Sequence, residues 1–205
     1  MNHLFDPENR FWSFMNKITD VFLLGVLWLL FSVPVFTIGA ATTSLYQFTL
    51  KQTDNEEGYV WKSFVKAFRK NFRQATALWL MLLAAGAFLA ADVYACLHIT
   101  VPGAVRILCF GLLLCLCLIF VLSALYVFPI LSRFERKTGT ILRHSFIMAM
   151  GNLYISVTVL VIYAAAAALT YYWTVLLPIW MALAAFFSSY LFRYVFSRYF
   201  PDQEE

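Results

Sequence analysis

The sequence predicts an all-α fold: a polytopic transmembrane helical bundle of about five spans, forming one integral membrane domain over residues 1–205. Three observations carry that expectation. The chain is 62% hydrophobic and 13% charged, with a mean hydropathy of +0.77; soluble domains hold roughly 45–50% apolar and about 25% charged residues. Its apolar residues fall in blocks of at least about 20, the length a helix needs to cross hydrocarbon. The cations, finally, gather on alternate connections.

Residues 1–17 form a polar and aromatic lead-in. Phe11, Phe14 and Met15 recur at helical spacing beside Arg10 and Lys17, as in an interfacial helix that feeds a span. Asp6, Glu8 and the length of the following apolar run argue against a cleaved leader.

The first span is expected over 18–50. Ile18 to Phe36 is apolar, and Thr37 to Leu50 is small and hydroxylated, with a kink near Pro34 and Gly39. Thr37, Thr42, Thr43 and Ser44 are placed to bond carbonyls that the proline frees, and Gly39, Ala40 and Ala41 to admit a close neighbour helix. A sharper reading makes Thr37, Thr42, Thr43 and Tyr46, with Pro34 and Gly39 at the kink, the lining of a polar path. The plainer one lets these hydroxyls bond their own helix.

A cytosolic amphipathic helix is expected over 59–73. Trp61, Phe64, Val65, Phe68 and Phe72 recur at three and four residues, and Lys62, Lys66, Arg69, Lys70 and Arg73 fill the remaining positions. Such a helix suits a bilayer surface containing anionic lipid; a docking helix for a cytosolic partner is the other reading.

Further spans follow over 75–97, 105–131, 153–172 and 175–196. Val101-Pro-Gly103 and Tyr171-Tyr-Trp173 mark short turns. The connection 132–152 is the second basic one, with Arg133, Arg136, Lys137, Arg143 and His144. Twelve of the 15 Lys and Arg fall on 51–74, on 132–152 or from Arg193 onward, and three elsewhere. Positive charge marks the cytoplasm, so five crossings put the C-terminus inside and the N-terminus outside. An even number would require 37–50 to be a separate re-entrant piece.

An internal echo runs through the first four spans. Leu45-Tyr-Gln-Phe48 matches Leu125-Tyr-Val-Phe128, Gly58 matches Gly139, and Ser63-Phe64 matches Ser145-Phe146, at offsets of 80 to 82. Two tandem helical-hairpin repeats with one helix appended would produce this pattern.

No catalytic constellation emerges. His3, His98 and His144 lie on separate connections, and there is no HExxH, GxSxG or Walker-type loop. Cys96, Cys109, Cys115 and Cys117 read as small hydrophobes in apolar surroundings. Asp92 and Arg106 are placed to pair across an outer turn, and ionisable groups deep in the spans, which would mark an ion path, are nearly missing. The expectation is a non-enzyme with no metal and no cofactor. Its net charge of +4 reports topology, not a nucleic-acid partner.

The run Leu27-Trp-Leu-Leu-Phe-Ser-Val-Pro-Val-Phe-Thr-Ile-Gly-Ala-Ala-Thr-Thr-Ser-Leu-Tyr46, then Glu57-Gly-Tyr-Val60 and Phe64-Val-Lys-Ala-Phe-Arg-Lys-Asn-Phe-Arg-Gln-Ala-Thr76, resembles the YesL family. These are small bacterial membrane proteins of uncharacterised function. Phe5-Asp-Pro-Glu-Asn9 also fits, although relatives often carry Asn-Pro there. The resemblance implies the bacterial cell membrane and a process, since the family is typically encoded beside carbohydrate importers of the ATP-binding-cassette type. It therefore implies an accessory role, with importer subunits and the lipid bilayer as partners. The alternative is a small transporter or channel with its path along 37–49.

Overall fold

The computed structural model describes residues 10–53, 58–98, 103–134 and 136–199, and the regular structure in them is helical. The helices are α1 (Arg10–Ser32), α2 (Ile38–Thr53), α3 (Val60–His98), α4 (Gly103–Arg133), α5 (Thr138–Gly151), α6 (Leu153–Tyr172) and α7 (Leu177–Tyr199). Short 3-10 turns at Val35–Thr37 and Thr174–Leu176 precede α2 and α7. Residues 54–57, the first two residues of the turn expected at Val101-Pro-Gly103, the side chains of Phe11 and Phe14, and the tail 201–205 lie outside the described residues.

Among the described residues four helical segments are long and apolar enough to cross a membrane: Val60–His98, Val105–Arg133, Leu153–Tyr172 and Thr174–Tyr199. The expected spans at 105–131, 153–172 and 175–196 match three of them closely. The first 80 residues are built differently from the expectation.

The segment 18–50 is not one span. α1 ends at Ser32, and α2 begins only after Pro34 and the turn that follows it. Pro34 has no amide hydrogen and cannot continue the ladder of α1. The Thr37 amide and hydroxyl both reach the Pro34 carbonyl, at 2.8 and 2.6 Å, and the hydroxyl lies 2.7 Å from the Phe31 carbonyl. The Trp79 indole donates to the Val35 carbonyl at 2.9 Å. A continuous helix would hold residues 28 and 42 about 21 Å apart at 1.5 Å per residue. Here the Trp28 indole donates to Thr42 Oγ1 at 3.1 Å, so α1 folds back on α2.

α2 is the hub, in contact with α1, α3, α4 and α7. Twelve of its 16 residues are buried, so it meets protein on almost every side. Its small residues explain how. A Cβ on Gly39 would lie 2.6 Å from Trp79 Cβ and 2.7 Å from the Ala75 carbonyl, so α3 packs here against bare backbone. Gly25 does the same for α1 and α7, where a Cβ would run into the Pro178 carbonyl.

α3 corrects a second boundary. The stretch 59–73 is not a separate helix on a bilayer surface but the first part of one 39-residue helix, about 58 Å long. No Gly or Pro separates Phe72 from Ala75, so nothing ends the helix there. Its apolar face is covered by the chain itself: Phe31 of α1 packs on Phe64 and Phe68 at centroid distances of 5.5 and 4.9 Å.

Beyond this region α3 and α4 form an arm. From Trp79 to Val121 no described residue is buried, whereas α4 is buried again from Leu122 onward. α5 closes back on α4, and Asn152 breaks the chain into α6 with φ −132° and ψ 54°. The echo is partial at this level: α3 runs unbroken through Asn71, where the second copy breaks at Asn152.

Candidate functional site

The polar atoms of the bundle interior converge on α2, α6 and α7. Tyr46 and Tyr163 share a hydrogen bond between their hydroxyls, and Tyr46 Oη lies 3.2 Å from Ser188 Oγ. Ser188 donates its one hydrogen to the Ala185 carbonyl at 3.0 Å. It therefore accepts from Tyr46, which in turn accepts from Tyr163. One turn along, Thr49 Oγ1 and Ser189 Oγ lie 2.7 Å apart. A second tyrosine follows the same rule: Tyr126 Oη lies 3.0 Å from Ser156 Oγ, whose hydrogen goes to the Ala149 or Asn152 carbonyl. A hydroxyl in an apolar interior needs such a partner, since an unmatched one costs about 1–3 kcal/mol.

Beside this chain lies a cavity of about 660 Å³. Trp28, Thr42, Tyr46 and Tyr163 form its polar end, and residues of α3 and α4 such as Trp79, Leu82, Phe120 and Phe128 wall the rest. It is an open apolar groove with a hydroxyl end and suits an apolar or amphiphilic guest.

The residues singled out for a polar path divide. Thr42 and Tyr46 face this cavity. Thr43 is buried and bonds the Gly39 carbonyl at 2.8 Å, Ser44 bonds that of Ala40 at 2.8 Å, and Thr37 bonds the carbonyls of the break. Pro34 is exposed at the break, and Gly39 is the α2–α3 contact. No row of free hydroxyls runs along 37–49. Tyr163, Ser188 and the two indoles, which complete the cluster, were not among the candidates. Their sequence signal is a polar group in mid-span, which demands a partner on another helix.

The basic residues of α3 stay on its outer face. Trp61, Lys62, Lys66, Arg69, Lys70 and Arg73 are exposed, Phe64 is fully buried, and Phe68 is half-buried. Lys62 lies over the Tyr59 ring at 5.5 Å. Arg193 of α7 donates to the Thr53 carbonyl at 2.6 Å, a cation at the C-terminal end of α2, where the helix dipole favours one. Arg106 donates to the Leu97 carbonyl at 2.8 Å across the α3–α4 turn and does not pair with Asp92 among the described residues.

Comparison with known proteins covers part of the region these features occupy, from α1 to α3. A family profile described as a protein of unknown function, DUF624, matches residues 21–93. Over 148 residues the chain is 30% identical to the uncharacterized protein YesL of Bacillus subtilis (strain 168), which covers 70% of this chain and 67% of the relative. No solved structure matches.

Proposed function

The chain belongs to the YesL family, and from that premise we propose that it is a non-enzymatic component of the bacterial cell membrane, accessory to a carbohydrate importer of the ATP-binding-cassette type. The observation that carries a partner-binding role is the arm. A span packed in a bundle shows lipid one face only, but the most apolar stretch of α3 has no buried residue and that of α4 has 6%. Leu80, Leu83 and Phe88 on α3 and Ile107, Leu108 and Leu112 on α4 are all exposed. An apolar hairpin bare on several sides has room for helices of another chain. The choice of a carbohydrate importer as that chain rests on the family resemblance alone. Gentle-detergent co-purification of the tagged protein from its host, grown on a complex glycan, tests it. Importer subunits in fixed ratio support the reading, and a homo-oligomer purified alone contradicts it.

The fold-back at Pro34 supports a topology with both termini in the cytoplasm, reversing the outward N-terminus that an unbroken first span requires. Thr19, Asp20 and Leu23 of α1 line one cavity with Gly58, Tyr59 and Trp61 at the start of α3. With the start of α1 on that side, 14 of the 15 Lys and Arg are cytoplasmic and only Arg106 is outside.

One observation favours the second reading, a small transporter or channel beside 37–49: the cavity of about 660 Å³ ends on Thr42 and Tyr46. Its apolar walls suit passage of an amphiphile, not a sugar. Uptake of a fluorescent lipid analogue by reconstituted liposomes, lost on sealing the cavity with Ala87→Trp, would support that reading over the accessory one.

A further inference from the structure

We propose that the cleft between the middle of α3 and the α4–α5 connection is a binding site for a phosphate-bearing anion at the membrane edge. The cleft encloses about 720 Å³, and its polar lining comes from Lys70, Asn71 and Gln74 of α3 and from Arg136, Lys137 and Thr138 around the start of α5. Three of these side chains are cations, and no carboxylate is among the described lining residues. Lys70, Arg136 and Lys137 are all exposed at the mouth of the cleft.

The cations are held together by the fold. Gln74 Nε2 donates to the Arg136 carbonyl at 2.6 Å, tying the connection to α3 across 62 residues of sequence. Asn71 Nδ2 donates to Gln47 Oε1 at 3.2 Å, which fixes the same turn of α3 on α2. α5 then starts at Thr138, with Lys137 as its N-cap and no side chain capping it. Its first free amides and the positive end of its dipole therefore open beside the two cations of the connection. A Cβ on Gly139 would meet nothing within 4 Å, so the approach is clear.

Phosphate suits this arrangement better than a carboxylate. It offers several acceptor oxygens at once, which a guanidinium, two ammonium groups and helix amides can share. Depth points the same way. Lys70 and Gln74 sit where the charged part of α3 gives way to the apolar run from Ala75, the level of lipid headgroups. Two sources carry the same chemistry, an anionic phospholipid of the inner leaflet and a soluble phosphorylated compound. The site rests on the multi-pass membrane reading for its depth and does not depend on the importer partnership.

The test uses the full chain in nanodiscs, with native mass spectrometry counting retained lipids and thermal unfolding as a second readout. In mixed phosphatidylglycerol and phosphatidylcholine, the wild type should retain phosphatidylglycerol about tenfold over its share, and Arg136→Gln with Lys137→Gln should abolish the preference. Lys70→Gln alone should reduce it severalfold and guards against a double variant that folds badly. Lys62→Gln with Lys66→Gln removes two exposed cations outside the cleft and should leave it unchanged. In phosphatidylcholine alone, inorganic phosphate is added. A rise in unfolding temperature that needs Arg136 and Lys137 assigns the site to a soluble phosphate, and no rise assigns it to the headgroup. Equal lipid retention by wild type and the cleft variants, with no phosphate response, overturns the proposal. So does an equal loss in the Lys62/Lys66 variant, which would make the preference a general surface-charge effect.

Discussion

Tyr46 stands edge-on to Phe192, with ring centroids 5.7 Å apart at an interplanar angle of 74°. Tyr126 meets the same ring at 4.9 Å and 75°. These are the two tyrosines of the echoed Leu-Tyr-x-Phe sequence, and each sends its hydroxyl to a serine on another helix. Phe192 is fully buried between them. The appended helix α7 thus carries the ring on which both copies close.

Removing that ring should be the costliest change in the interior. Phe192→Ala leaves a cavity where two aromatic edges converged and should lose about 3–5 kcal/mol. Tyr46→Phe keeps the ring contact and drops only the hydroxyl chain, at about 1 kcal/mol. Denaturation in mild detergent, followed by tryptophan fluorescence, ranks the two. Equal losses would mean that the hydroxyl chain, not the ring packing, holds α7.

The α2–α3 contact makes a sharp pair of substitutions. Gly39→Ala puts a methyl 2.6 Å from Trp79 Cβ and 2.7 Å from the Ala75 carbonyl, so the helices must part; overpacking of this kind costs about 1–3 kcal/mol. Gly111→Ala meets nothing within 4 Å and should be neutral or stabilising by up to about 1 kcal/mol through helix propensity. The same unfolding assay reads both.

Topology is directly measurable. Green fluorescent protein fused at either terminus should fluoresce, and alkaline phosphatase inserted at the α3–α4 turn should be active, as both termini inside and that turn outside require. A dark N-terminal fusion beside a bright C-terminal one would restore the five-crossing arrangement.

The later spans were legible because apolar runs of the required length admit little but a crossing helix: 153–172 coincides with α6, and 105–131 lies within α4. The fold-back was not. Pro34 signals a break, but a kink and a reversal share that signal, and the choice is made by Trp28 on Thr42 and Trp79 on Val35, contacts 14 and 44 residues apart. The periodicity of 59–73 was legible as well, but an apolar stripe has the same pattern whether lipid or Phe31 covers it. For the interior cluster, Thr42 and Tyr46 stood out because they cluster in sequence. Tyr163 and Ser188 are single polar residues in apolar spans, and only the packing brings them to Tyr46.

The proposed role requires the bare arm of α3 and α4 to dock another membrane protein. The most direct measurement places a photo-crosslinking amino acid at Leu112, which is 70% exposed, and at Leu122, which is 2% exposed, in the intact host membrane. The account predicts a discrete protein adduct from position 112, containing an importer subunit, and none from 122. Lipid adducts alone from 112, with no protein partner under growth on glycan, would contradict it.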